Sequence, residues 1–150
     1  MAHHVTTRAL TRDDHAAAAP LLELLSDGTP LGDIAAFDAI ITHPGTTIFG
    51  SFDAQRLTCV VTLHVLPNLT RGGRPYALIE NVVTSPDHRN KGYARATMQA
   101  AIDAAWQADA YKIMLLTGQD TGALGFYESL GFNADQKFGM QLRRVPPRRA

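Results

Sequence analysis

Two side chains and one loop have the types and spacing for acid–base chemistry beside an anion. Glu80 interrupts a run, residues 76–84, that is otherwise apolar on both faces except for Asn81. A carboxylate in such a strand is costly to bury without a partner or a purpose, and burial lifts its pKa toward the range of a general base. Glu80 is therefore the candidate base, acting directly or through a water. The alternative is a Glu held structurally by an arginine or a backbone donor. His64 and His43 are weaker substitutes, because histidines near a core are more often simply hydrogen-bonded. Tyr127 shares a helical face with Ala123 and Leu130. Spacing alone allows a packed aromatic or a proton donor there, since a phenol with a pKa of about 10 keeps its proton at neutral pH.

The loop reads Ser85, Pro86, Asp87, His88, Arg89, Asn90, Lys91, Gly92, Tyr93, Ala94, leaving the apolar run and opening a long amphipathic segment. A helix starting there offers unpaired N–H groups and the positive end of its dipole. Gly92 clears the side chain where a phosphate must approach the backbone, Ala94 keeps the next turn small, and Arg89 and Lys91 add positive charge at the rim. That combination suits a diphosphate better than a single carboxylate. The plain alternative is ordinary helix-start chemistry with solvated basic residues.

The elements that must position these groups follow from periodicity. Residues 5–10 read as a strand, and residues 11–14 supply caps for a helix running to about residue 25, with Ala17, Leu21, Leu24 and Leu25 on its apolar face. Pro20 is awkward in that helix beyond its first turn. Residues 33–42 form a second helix with Ile34, Phe37, Ile40 and Ile41 as its stripe. Residues 46–52 and 57–66 suit an antiparallel hairpin, and residues 76–84 a buried central strand. From residue 92 to about 108, Ala94, Met98, Ala101, Ile102 and Ala105 recur at helical spacing before a short apolar strand at 111–117. Strand, helix, strand implies a parallel crossover. A helix at 122–130 and a strand at 136–142 complete a mixed α/β chain.

At 150 residues, 45% apolar and 19% charged, the chain is expected to fold as a single domain, residues 1–150. Fourteen basic and fourteen acidic residues cancel, which argues against a general nucleic-acid or membrane-surface binder. Lone Cys59 supplies neither an intramolecular disulfide nor a metal cluster, so no metal is expected and a cytoplasmic setting fits. The first residues, Met1, Ala2, His3 and His4, lack a basic patch followed by an apolar core, and no apolar run is long enough to span a membrane, so a soluble, unexported protein is expected.

Arg-x-x-Gly-x-Ala at 89–94 resembles the pyrophosphate-binding signature of the GNAT superfamily of acyl-CoA-dependent N-acetyltransferases. Residues 79–84, Ile-Glu-Asn-Val-Val-Thr, resemble that family's central strand, and Ala123, Phe126, Tyr127, Glu128, Leu130, Gly131 and Phe132 resemble its last helix. Asp120 stands where the family often has Asn. The resemblance implies a GNAT-like, mainly antiparallel sheet with a central splayed parallel strand pair flanked by helices. It implies acetyl-CoA as acyl donor, laid along Val82, Val83 and Thr84 and held by Arg89, Asn90, Lys91, Gly92, Tyr93 and Ala94. It further implies Tyr127 as acid toward the departing thiolate and a strand irregularity that frees the Val83 N–H for the oxyanion.

The expected activity is acetyl transfer to a primary amine of a small molecule by direct attack in a ternary complex, glucosamine 6-phosphate N-acetyltransferases being the most similar members. Acetylation of a protein lysine or N-terminus and a non-catalytic acyl-CoA-binding regulator are the alternatives. A homodimer is compatible with the sequence, and neither nucleic acid nor membrane is expected as a partner. Arg71 and Arg74, in the loop 67–75, are placed either beside an anionic substrate group or in a solvated turn. The arginines of the segment 143–149 read as a soluble tail.

Overall fold

The computed structural model describes residues 4–147; Met1, Ala2, His3 and the tail arginines Arg148 and Arg149 lie outside them. Two compact units divide the chain, Met1–Met114 and Leu115–Ala150.

The first unit is a five-stranded sheet in the order β1-β2-β3-β4-β5 with three helices. Its strands are β1 (Val5–Ala9), β2 (Thr46–Asp53), β3 (Arg56–Leu66), β4 (Tyr76–Thr84) and β5 (Ile113–Met114), and its helices α1 (His15–Glu23), α2 (Ile34–Ile41) and α3 (Tyr93–Gln107). β1 to β4 pair antiparallel, whereas β4 and β5 pair parallel through the α3 crossover, as expected. On one face Leu10, Ala18, Leu21, Phe37, Ile48, Phe52, Leu57, Val60 and Val83 form the core under α1 and α2. On the other, Met98, Ala101, Ile102 and Ala105 of α3 are buried. Fully burying a Val or Leu side chain contributes about 1.5–3 kcal/mol, so β3, buried from Leu57 to Leu63, is the sheet's anchor.

Three expectations are corrected here. Leu21 and Leu25 face the core as expected, but Ala17 and Leu24 are exposed and Ala18 and Leu22 take their places against it. Pro20 sits inside α1 beyond its first turn, where burial of Ala18 and Leu21 offsets one missing backbone bond. β5 is only two residues long, because its ladder ends at Leu78↔Met114. β4 is also exposed at Glu80 and Asn81 rather than buried throughout.

Asp14, with a side chain only 11% exposed, locks the entry to α1. Its carboxylate accepts two hydrogen bonds from Arg8, at 2.8 and 2.9 Å, and one from the Thr11 N–H at 2.7 Å. The Arg8 hydrogen bonds, opposed in part by burial, hold the Asp14 pKa below the ordinary carboxylate value. A lowered folded-state pKa stabilises above the unfolded value of about 3.9 and is lost as pH falls through the folded value. Asp14→Ala should therefore cost about 2 kcal/mol at neutral pH and flatten the acid limb of the stability curve, read from denaturant midpoints across pH.

In the second unit, α4 (Leu124–Ser129) is closed by Gly131 at φ 98°. The expected strand at 136–142 does not form. Its alternation is real, since Phe138, Met140 and Leu142 share one parity, but all three are exposed and this unit has no neighbouring strand among its described residues to hydrogen-bond with.

Candidate active site

The site of the first unit is built around an irregularity in β4. Val60 pairs with Val83 and Thr62 with Glu80, so Asn81 and Val82 together oppose the single residue Val61. This is a β-bulge, the kind of strand irregularity the resemblance implies, and Asn81 adopts φ 54° within it. Asn tolerates that left-handed conformation better than a β-branched residue would. The extra residue also resets the side-chain alternation. Val83 packs into the core under α1 and α2, and Glu80, opposite Thr62, projects on the same face as Val60 and Val83.

Glu80 is exposed, contrary to the expected burial. It projects on the α1–α2 face beside the cavity at Asn81, where the helices leave β4 open, whereas Ile79 and Val83 on either side are buried. Nor does any Arg, Lys or His among the described residues form an ion pair with it, so the structural alternative of a buried paired Glu also falls away. Val82 and Thr84 are half-buried and Val83 is buried.

A cavity of about 280 Å³ opens beside the bulge, between α1 and α2, with Asn81 as its contribution from β4. Its other polar residues are His15, half-buried with its ring 5.3 Å from Phe37, and Ser26, whose hydroxyl donates to the Thr29 carbonyl.

After β4 the chain makes a single turn at Pro86–His88 and enters α3. Asn90 at φ 58° and Gly92 at φ 88° are both left-handed, Gly92 being the helix cap. The first bond within α3 runs from Ala96 N–H to the Gly92 carbonyl at 3.0 Å, so the N–H groups of Tyr93 and Ala94 have no acceptor inside the helix. A Cβ built at Gly92 would meet nothing within 4 Å, so the space in front of this turn is open. Arg89, Asn90, Lys91 and Gly92 are exposed and Ala94 is half-buried. Lys91 Nζ donates to the Asp87 carbonyl at 2.9 Å, curling the loop under its own charge.

Tyr93 differs, being only 2% exposed. Its ring lies edge-on to His88, 5.6 Å between centroids, and its hydroxyl donates to the Asp53 carboxylate. Burial first, then this hydrogen bond and the Asp53 charge, hold its pKa above the ordinary phenol value. Only the backbone of Tyr93 is therefore placed to meet a ligand. His88 Nε2 lies 3.8 Å from Asp53 Oδ2 as well, so the β2–β3 turn clasps the loop at both ends of the Arg89–Gly92 stretch. From below, Ser51 Oγ lies 2.6 Å from Thr97 Oγ1, which donates to the Tyr93 carbonyl at 2.8 Å. Sequence reasoning missed this clasp. Asp53 reads as an ordinary hairpin residue, and nothing in its spacing points 35 residues downstream.

The remaining candidates are elsewhere. Thr46 Oγ1 lies 2.9 Å from His64 Nδ1 and 3.2 Å from His43 Nδ1, giving both histidines hydrogen-bonding roles. Arg74 pairs with Asp109 at 3.1 Å and Arg71 lies over the Tyr111 ring, beyond the far end of α3, whose 15 residues span about 22 Å. They do not border the cavity. Cys59 is fully buried, and burial raises its thiol pKa. In the second unit Tyr127 is 8% exposed, ringed by Phe126 at 5.2 Å and Phe132 at 6.2 Å between centroids.

The profile of the Acetyltransferase (GNAT) family matches residues 9–132. This chain belongs to the GNAT family. The acetyltransferase is 29% identical over 134 residues to a glucosamine 6-phosphate N-acetyltransferase of Trypanosoma brucei brucei, covering 87% of this chain and 90% of that one. Among solved structures it is similar to a candidate acetyltransferase from Agrobacterium tumefaciens, 40% identical with a TM-score of 0.86 over 93% of this chain and 99% of that one. At 17% identity, the fold is shared with a glucosamine-6-phosphate N-acetyltransferase from Arabidopsis thaliana, TM-score 0.83, over 95% of this chain and 99% of that one. GNAT acetyltransferases use acetyl-CoA. The open, left-handed turn before α3 fits the diphosphate of that donor, because it joins exposed N–H groups, a missing Cβ and two cationic side chains. No helix among the described residues is long and apolar enough to cross a membrane.

Proposed function

We propose that this acetyltransferase moves the acetyl group of acetyl-CoA to a primary amine of a small molecule by direct attack in a ternary complex. The observation that carries the reading is the arrangement on β4. Glu80, the bulge and the cavity share one face, and the open α3 turn follows one short loop later. Acetyl-CoA supplies a thioester, whose carbonyl gains negative charge on attack and whose sulfur leaves as a basic thiolate. Arg89, Asn90, Lys91, Gly92, Tyr93 and Ala94 hold the diphosphate, Tyr93 through its backbone, and Val82, Val83 and Thr84 flank the pantetheine arm.

Glu80 takes the proton of the ammonium, whose unperturbed pKa is about 10.4, so that a neutral amine attacks. The Val83 N–H, the expected oxyanion donor, stands in register with Val60 on β3, so the donor is an N–H of the bulge itself, at Asn81–Val82. Tyr127 gives its proton to the thiolate, a role that rests on its place in the Phe-Tyr-Glu segment. The family match runs across both units, which supports one acetyltransferase domain over residues 1–150. Lone Cys59 supports a cytoplasmic setting. A cavity of about 280 Å³ favours a small acceptor over a protein lysine, which would want an open groove.

Thiol release from acetyl-CoA, measured across a panel of primary amines with mass detection of the product, tests the reading. Thiol appearing only with amine, together with acetylated amine, is expected. Thiol release that ignores the amine, or none with any amine, would overturn it.

A further inference from the structure

Accepting that reading of the site, the cavity beside Asn81 specifies the class of amine. None of its lining residues is Lys, Arg, Asp or Glu. Its walls are mainly Ala19, Leu22 and Leu25 on one side and Ala36, Phe37 and Ile40 on the other. An anionic group buried there would lose its hydration and meet no Lys or Arg in exchange, the half-buried imidazole of His15, packed against Phe37, being the one basic group in the lining.

Helix N-termini could have served an anion in place of arginine, but both nearby helices close that route. Asp33 caps α2, accepting the Ala36 N–H at 3.0 Å, and Asp14 stands at the cap of α1. The α2 start therefore presents negative charge, whereas at α1 the Asp14 carboxylate is already paired with Arg8 and the pair leaves no net positive charge for an anion. The loop arginines are spent at the far end of α3, Arg74 on Asp109 and Arg71 over Tyr111.

We infer that the acceptor is a primary amine carrying a neutral apolar body, aryl or alkyl, and that it is not a phosphorylated or carboxylated amine. The cavity's 280 Å³ corresponds to the liquid volume of about nine waters at ~30 Å³ each, which suits a body the size of a phenylethyl or hexyl group. With no carboxylate in the lining to hold an ammonium, the amine end lies toward Asn81 and the Glu80 face, and the apolar end between α1 and α2. The amino sugar phosphate in the name of the Trypanosoma relative belongs to the class these walls exclude.

The test compares 2-phenylethylamine, hexylamine and glucosamine 6-phosphate as acceptors, by thiol release and by calorimetric titration onto the protein saturated with CoA. The apolar amines should exceed glucosamine 6-phosphate in kcat/KM by at least tenfold. Ala19→Phe, and independently Ala36→Phe at an exposed helix position, should raise KM for 2-phenylethylamine about tenfold or more while leaving KM for acetyl-CoA unchanged. Preference for glucosamine 6-phosphate, indifference to both fillings, or no binding of 2-phenylethylamine to the parent protein would each overturn the inference. Binding of 2-phenylethylamine without thiol release from any amine would support the cavity's ligand class and overturn acetyl transfer instead.

Discussion

Glu80→Gln should lower kcat/KM by roughly 10²- to 10⁴-fold and leave the denaturant midpoint nearly unmoved. The two halves of that expectation come from one observation. Glu80 is exposed on the α1–α2 face of β4, and no described cation pairs with it. Surface substitutions away from special features usually change stability by no more than about 0.5 kcal/mol. Gln keeps the size and loses only the ability to take a proton, so the defect falls on proton removal from the ammonium. A Gln variant with an unaltered kcat/KM would reassign the base, whereas a drop in stability matching the drop in rate would return Glu80 to a structural role.

Tyr127→Phe is expected to cost a similar 10²- to 10⁴-fold, in kcat, with acetyl-CoA affinity little changed. The ring is buried against Phe126 and Phe132, and Phe preserves that packing. What disappears is the phenolic proton for the departing thiolate. A donor bearing a better leaving thiol should narrow the gap, because a less basic thiolate needs less help to leave. Equal kcat for the two proteins would make Tyr127 a packing residue.

The order of strands and helices was legible in the sequence because periodicity and the turn residues agree from β1 through α3. The site was legible in part. Arg89, Lys91, Gly92 and Ala94 read from local chemistry either as a phosphate turn or as an ordinary helix start, the family resemblance favouring the first, and the structure shows a left-handed cap with an open approach there. Glu80 was found by residue type but with the wrong burial, since a strand's own pattern does not reveal where the helices over its face leave a gap, and here the gap between α1 and α2 opens at Asn81. The strand expected at 136–142 failed for the same kind of reason, as alternation without a pairing partner makes no ladder. The clasp of Asp53 on His88 and Tyr93, and the cavity between α1 and α2, depend on contacts between distant parts of the chain that no local pattern encodes.

The central claim is that the turn before α3 holds the diphosphate of acetyl-CoA, and acetyl-CoA-dependent thermal stabilisation tests it most directly. Ligand at a hundredfold excess over Kd stabilises the folded state by about 2.7 kcal/mol, several degrees in Tm for a chain of this size. Gly92→Val places a β-branched side chain in the open approach and at φ 88°. It should lower the ligand-free Tm through about 1–3 kcal/mol of backbone strain, so each shift is measured from the variant's own baseline. Arg89→Ala, which carries no such strain, removes one rim charge. The account predicts a clear shift for the parent protein, a reduced one for Arg89→Ala and almost none for Gly92→Val; a full shift in Gly92→Val, or none in the parent protein, would contradict it.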